Sequence, residues 1–490
     1  MTDPSGTPPP PSLGRRVREF AGERPGAPAV SCGESTLTWA ELDRSTNRLA
    51  RAMAARGVRE GALLTIALPN GIGFVRACVA AWKLGAVPQP VSWRLPRAEL
   101  DEIVRLARSA LVLLPDDLAG PTSPYGVRLG ELDADGREAT PLPDAVSPSW
   151  KAPTSGGSTG RPKLILAGTP GVVDGWASRF WRCGDGDVLL MPGPLYHNGP
   201  FSSAFAGFFQ GAHLVVMERF DPLRTLELAE RWRATWLYLV PTMMNRIWRL
   251  PEADRLRPDL SSLRTVWHLA APCPAWLKQA WIDWLGGERI WELYGGTESI
   301  ATTVINGAEW LEHRGSVGRP VHGEVTVLDV DGKPLPPGET GEVYMRRTPG
   351  TPPTYAYVGA APRARGEWES LGDMGRLDSD GYLYLADRRP DMILVAGENV
   401  YPAEVEAALE EHPGVLSCAV IGLPDEDLGQ RVHAIVEGAV PEQELRAHME
   451  ERLVRYKLPR SYEFVDRPVR DDAGKVRRSW LIAERTAGRS

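Results

Sequence analysis

The sequence predicts an α/β protein of more than one domain, and three observations carry that reading. Helical and strand-like patterns alternate from the N-terminal region to about residue 315, as they do where helices cover largely parallel sheets. Beyond that point, period-two runs broken by Asp-Gly and Pro-Gly turns take over, the mark of antiparallel hairpins. A length of 490 residues also exceeds what one hydrophobic core usually supports.

The elements follow in order. Residues 1–14, polar and proline-rich, read as a disordered tail without a signal-peptide pattern. TWAELDRSTNRLARAMAARG opens on a capping box, Thr38 with Glu41. It places Leu42, Leu49 and Met53 on one face and stops at Gly57. LLTIAL (63–68) reads as a buried strand, followed by a helix from Phe74 to Leu84 and a strand near Val87. ELDEIVRLARSALVLL repeats the helix-then-strand rhythm. A second α/β stretch runs through VLLMPGPLYHNG, a helical GPFSSAFAGFFQGA, HLVVM, WLYLVP and LRTVWHLA to ERIWELYGGTES. From about residue 391 a smaller α+β segment begins, with helices AEVEAALEEH and EQELRAHMEERLV and strands LSCAVIGL and RVHAIVEG. The expected division is therefore a large domain over 15–387, a boundary or hinge at 388–391, and a C-terminal domain over 392–490.

Composition narrows the function. With 43% hydrophobic and 24% charged residues the chain reads as an ordinary soluble globular protein. A net charge of -7 argues against nucleic acid or an anionic membrane as main partner, and no apolar run is long enough to span a bilayer. Cys32, Cys78, Cys183, Cys273 and Cys418 are scattered without metal-ligand spacing, so reduced thiols in a cytoplasmic protein are expected. Seventeen tryptophans leave room for an aromatic-lined pocket.

Three distant stretches carry chemistry. TSGGSTGRPK (154–163) is not a Walker loop, because Arg161 and Pro162 separate Gly160 from Lys163. Its backbone N–H groups and hydroxyls suit an anion-binding concavity, and equally a flexible turn. YGGTES (294–299) offers Tyr294 to stack on a flat ring, Thr297 to donate to a phosphate, and Glu298 as a hard ligand for Mg²⁺. Asp373, just past a glycine, suits the hydroxyls of a ribose, and Lys475 sits in the Asp/Gly-rich DDAGKVRR. Each alone also suits an ordinary turn or surface loop.

Taken in order and spacing, these stretches resemble the adenylate-forming superfamily of acyl-CoA synthetases, adenylation domains and luciferases, from about residue 15 to 480. The resemblance implies an N-terminal domain of two α/β subdomains plus a small β-barrel, with a mobile α+β C-terminal domain. It implies a two-step reaction with ATP, Mg²⁺ and coenzyme A, in which an acid becomes acyl-AMP and a thiol then displaces AMP. Ser155, Gly156, Gly157, Ser158, Thr159 and Gly160 would hold the β- and γ-phosphates, with Lys163 supporting the loop. Thr297 would touch the α-phosphate and Glu298 would bind Mg²⁺. Tyr294, with Gly295 beside it, would stack on adenine near Ala271 and Pro272, while Asp373 and Arg388 would take the ribose. Lys475 would bridge the substrate carboxylate and α-phosphate, and Gly397 would lie on the loop serving coenzyme A.

Two departures stand out. Leu269 replaces the first glycine of the family's Gly-Ala-Ala-Pro, so a side chain is expected where backbone usually lies. The hinge residue is Pro390, whose ring fixes φ near about -65° and restricts rotation of the C-terminal domain.

The acyl pocket is expected around His197, Asn198, Ser202 and Leu269, with His197 near the carboxylate. No aspartate stands in PLYHNGP to grip an α-ammonium, which points to an acid without an α-amino group. Small residues in GPFSSAFAGFF suit a wide, rigid, apolar acid. The Ser-Gly-Gly-Ser-Thr-Gly variant is similar to that of ligases for bile acids, polycyclic acids and terpenoid acids. The resemblance therefore points to a bulky cyclic acid, such as a diterpenoid of an antibiotic pathway of the platensimycin type. Small-molecule acid and CoA are the expected partners of a monomer or homodimer. The alternatives are a stand-alone adenylation enzyme that loads a separate carrier protein, and a non-catalytic nucleotide- or acyl-binding relative.

Overall fold

A computed structural model describes residues 9–117, 126–132, 134–156, 162–388, 391–425, 427–472 and 474–486. Two sheets organise the first 300 residues. A four-stranded parallel sheet runs in the order 87–90, 63–66, 111–114, 126–128. The larger sheet has nine strands, parallel from 28–32 through 213–216, 188–191, 236–239 and 265–268 to 290–295. Antiparallel strands 35–38, 302–306 and 319–322 close its edges.

The helix Trp39–Ala55 begins on the Thr38–Glu41 capping box and is followed by Gly57 at φ 97, as its sequence dictates. It buries Leu42, Leu49 and Met53 against the helices Leu13–Glu23 and Ile72–Lys83. Trp82 lies edge-on to Phe205 and Phe209, which draws the helix Asn198–Phe208 onto the same core. The indole N–H of Trp82 donates to the carbonyl of Trp150, 2.8 Å away. That bond fixes the chain just before the hairpin of 154–156 and 162–167.

Past residue 315 the hairpins pair as a five-stranded antiparallel sheet of 324–328, 341–346, 364–365, 368–377 and 383–388. Strand 368–377 is the hub of this sheet and pairs with 341–346, 364–365 and 383–388.

A separate core forms around Ile393, Val405, Leu409, Val420, Val436 and Leu445. The helix Glu442–Glu450 is shorter than the pattern EQELRAHMEERLV suggests, because Glu451 caps it and a 3₁₀ turn follows at Arg455–Lys457. Glu406 holds both Arg470 at 2.7 Å and Arg478 at 2.6 Å, clamping the segment that carries Lys475 to the helix Pro402–Glu410. Among the described residues no helix is long and apolar enough to cross a membrane.

Burial of imidazoles gives the fold a pH dependence. His213 and His268 are buried in the large sheet, on strands separated by two others, and burial pushes both down to about 4 from 6.5. Between those values the unfolded chain takes up protons that the folded chain refuses. Stability is therefore complete above pH 6.5 and falls as pH drops toward 4, by about 1.4 kcal/mol per pH unit for each histidine. The melting temperature should be clearly lower at pH 5 than at pH 7; an unchanged value would contradict the assignment.

Candidate active site

In an open α/β sheet, ligands bind beyond the carboxyl ends of the strands. Four strands of the nine-stranded sheet deliver residues there. After 188–191 come Tyr196 and His197, after 236–239 Thr242, after 265–268 Leu269 to Pro272, and 290–295 ends in Tyr294 and Gly295.

The phosphate stretch forms a hairpin in which Thr154–Gly156 pairs with Pro162–Ala167, and Pro162–Ala167 pairs with Tyr355–Val358. The backbone of Ser155 and Gly156 belongs to this hairpin, while Gly157, Ser158, Thr159 and Gly160 lie outside the described residues. Lys163 lies on the second strand of the hairpin. Its ammonium reaches the Tyr357 hydroxyl at 2.8 Å and Glu298 Oε1 at 3.3 Å.

Glu298 is 5% exposed and closely held. The Tyr357 hydroxyl donates to its Oε1 at 2.6 Å, and Thr354 Oγ1 donates to its backbone carbonyl at 2.8 Å. Burial and the bond to Glu298 push the Tyr357 phenol up, so it remains a donor. Among the described residues no donor reaches Glu298 Oε2. A Cβ on Gly296 would stand 2.7 Å from that oxygen, so only glycine leaves it open. An undonated carboxylate oxygen in a glycine-lined recess fits Mg²⁺. No group of three or more acidic, His or Cys side chains gathers among the described residues, so substrate phosphates would complete such a site. Tyr357→Phe should raise the KM for MgATP about fivefold, the worth of one hydrogen bond of roughly 1 kcal/mol. An unchanged KM in a pyrophosphate-release assay would show that Tyr357 does not set Glu298.

Tyr294 and Asp373 meet, the phenol donating to Asp373 Oδ2 at 2.7 Å. The backbones of Asp373 and Arg388 are register partners across the strand pair 368–377 and 383–388. Thr297 is half-buried in the turn after Gly296, between Tyr294 and Glu298. Pro390 lies outside the described residues.

Leu269 is buried, and its Cδ1 would lie 3.1 Å from a Cβ on Gly199. The side chain expected to intrude thus packs onto Gly199 of the helix Asn198–Phe208, beside Tyr238. The backbone strain falls one residue later, at Ala270 with φ 77, while Ala271 and Pro272 stay partly or fully exposed.

The C-terminal domain brings its lysine loop to these strand ends. Asp471 brackets the loop by accepting from the Lys475 N–H at 2.9 Å. Gly474 has φ 75, and a Cβ there would lie 3.0 Å from Thr242 Oγ1. Asp472 pairs with Arg94 at 2.6 Å and receives Tyr196 at 3.5 Å. Burial, and next the Lys475 charge, push His197 down to about 3, so its imidazole is neutral. Gly397, at φ 90 in the turn between 393–395 and 398–400, faces open space.

Lys151, Tyr238 and Tyr357 escape a reading of the sequence. Tyr357 lies in the irregular TPPTYAYVG, where only the Tyr-Ala-Tyr alternation hints at a strand. Lys151, between Trp150 and Ala152, carries no signal of burial.

Comparison with known proteins agrees with this arrangement. Residues 17–355 match the AMP-binding enzyme family and residues 404–475 the AMP-binding enzyme C-terminal domain. A feruloyl-CoA synthase of an Amycolatopsis species is 34% identical over 92% of this chain and 94% of its own. The fatty acid–[acyl-carrier-protein] ligase ScoC of Streptomyces coeruleorubidus is 32% identical over 94% of both. Among solved structures, the o-succinylbenzoate CoA synthetase of Bacillus subtilis with its acyl-adenylate superimposes with a TM-score of 0.80 at 26% identity, covering 95% of this chain and 97% of that one. Matched to one family through both of its parts, and to whole relatives over nearly their full length, the chain belongs to the AMP-binding enzymes and is an adenylate-forming acid–thiol ligase.

Proposed function

We propose that this ligase activates a bulky cyclic or polycyclic carboxylic acid as acyl-AMP and passes the acyl group to coenzyme A. The observation that carries the reading is the seat of the Lys475 loop, on Thr242, Arg94 and Tyr196 beside His197. In the first step a carboxylate oxygen attacks the α-phosphorus of ATP, and the bond to pyrophosphate breaks. Lys475 lies between two anions and lowers their repulsion as charge shifts in the transition state. His197, held neutral, donates a hydrogen bond to the carboxylate without adding charge. Thr297 meets the α-phosphate, the hairpin 154–163 the outer phosphates, and Asp373 with Arg388 the ribose. Bound at Glu298, Mg²⁺ would neutralise phosphate charge. In the second step a thiol attacks the acyl carbonyl and AMP leaves, which requires the exposed Gly397 turn to replace the Lys475 loop about Pro390.

The cyclic acid is supported by relatives named for ring-bearing acids, feruloyl-CoA synthase and 2-succinylbenzoate–CoA ligase. The carrier-loading relative gives a second reading, in which the acceptor is a holo-carrier protein. Pyrophosphate release across fatty, aryl and polycyclic acids tests the first step. The best acid is then offered CoA or a holo-carrier. Polycyclic acids should lead and CoA should yield the thioester; a preference for fatty acids, or product only with the carrier, would contradict the proposal.

A further inference from the structure

Three lysines are buried among the described residues, and two of them have an acid. Lys83 pairs with Asp43 at 2.7 Å, and Lys278 with Glu292. Lys151 does not. It is 5% exposed, and its ammonium donates to Asn198 Oδ1 and Ser202 Oγ while facing the Trp150 ring at 4.4 Å. All three partners are neutral. A buried ammonium without a counter-charge is strongly disfavoured, and burial pushes Lys151 down to about 7.

Two donors remain without an acceptor. An ammonium has three N–H groups, and only two are engaged among the described residues. Because Lys151 takes the Asn198 carbonyl oxygen, the Asn198 amide N–H₂ points elsewhere and meets no acceptor among them. Asn198 opens the helix Asn198–Phe208 directly after His197, and Ser202 lies one turn along. Lys151 bonds Ser202, a turn beyond the His197 N-cap, so its ammonium sits further along the helix than His197.

We infer that Lys151 and Asn198 bind a hydrogen-bond-accepting oxygen on the acid substrate, remote from its reacting carboxyl group, and so select acids that carry one. The inference rests on placing the acyl pocket along this helix. It changes the expected pocket from wholly apolar to apolar with one cationic anchor. The oxygen is a ring carbonyl or a second carboxylate, and matched acids separate these sources.

The test measures pyrophosphate release with three acids on one fused-ring skeleton: the plain monocarboxylic acid, its ring ketone and its dicarboxylic analogue. For the wild-type enzyme, kcat/KM should favour at least one oxygenated acid over the plain one by tenfold or more. A larger gain for the dicarboxylic acid assigns an anion, and a larger gain for the ketone a neutral acceptor. Lys151→Met should bring that ratio close to one. A wild-type ratio near one overturns the inference whether or not the variant folds, and so does a variant that keeps the wild-type ratio. Pyrophosphate release from none of the acids, in contrast, would sink the proposed function itself.

Discussion

Lys475→Ala is expected to slow pyrophosphate release by about two to three orders of magnitude, the usual cost of removing a positioned charge-stabilising group. ATP binding should stay within a few fold, because the hairpin, Glu298, Tyr294 and Asp373 belong to other elements. The expected size follows from how firmly the loop is set. Arg470 donates to the Gly474 carbonyl at 3.2 Å and is itself held by Glu406. Gly474 accepts a left-handed φ that lets the chain approach Thr242. A preorganised cation needs no reorganisation during reaction, so its loss falls on the chemical step. Hydrolysis or thiolysis of preformed acyl-AMP should change little. Unchanged pyrophosphate release in the variant would remove Lys475 from the mechanism.

Arg249→Ala should lower acyl-AMP formation by ten- to a hundredfold and leave thioester formation from added acyl-AMP unchanged or faster. Arg249 follows the helix Pro241–Trp248 and donates to the carbonyls of Glu410 at 2.9 Å, His412 at 3.1 Å and Pro413. Glu410 ends the helix Pro402–Glu410 of the other domain, where the backbone is electronegative, and His412 and Pro413 lie in the turn that follows. Asn245 adds a bond to the Leu416 carbonyl at 3.3 Å, and Arg246 lies 3.5 Å from Glu437. Charge-assisted bonds of this kind, set against water, total roughly 2–4 kcal/mol. That energy favours the arrangement that seats Lys475 and opposes the one that would bring Gly397 inward. The two half-reactions measured separately decide the matter; equal losses in both would show a merely structural role.

Local chemistry made much of the fold legible. The Thr38–Glu41 box, Gly57 after its helix and the short apolar strands are set by neighbouring residues, and they stand where the pattern places them. Non-local pairing was not legible. Strand 28–32 crosses to 213–216 in the larger sheet, while 63–66 pairs within the smaller one. No periodicity records that choice. The same holds for the site. YGGTES and Asp373 are linked through the family resemblance, and the Tyr294–Asp373 bond gives that link a geometry. Lys163 and Glu298 share a partner in Tyr357 that no spacing announced. Lys151 shows why: its burial depends on Trp82, Trp150 and the helix Asn198–Phe208 converging, a tertiary fact absent from SWKAPTSGG.

The central claim is that a carboxylate oxygen attacks the α-phosphorus of ATP in this site. It is tested most directly by supplying the acid with both carboxyl oxygens labelled as ¹⁸O, together with ATP and CoA. Mass spectrometry then follows the label. One ¹⁸O per turnover should appear in AMP, with none in pyrophosphate. AMP without label, or label carried into inorganic phosphate beside ADP, would contradict adenylation.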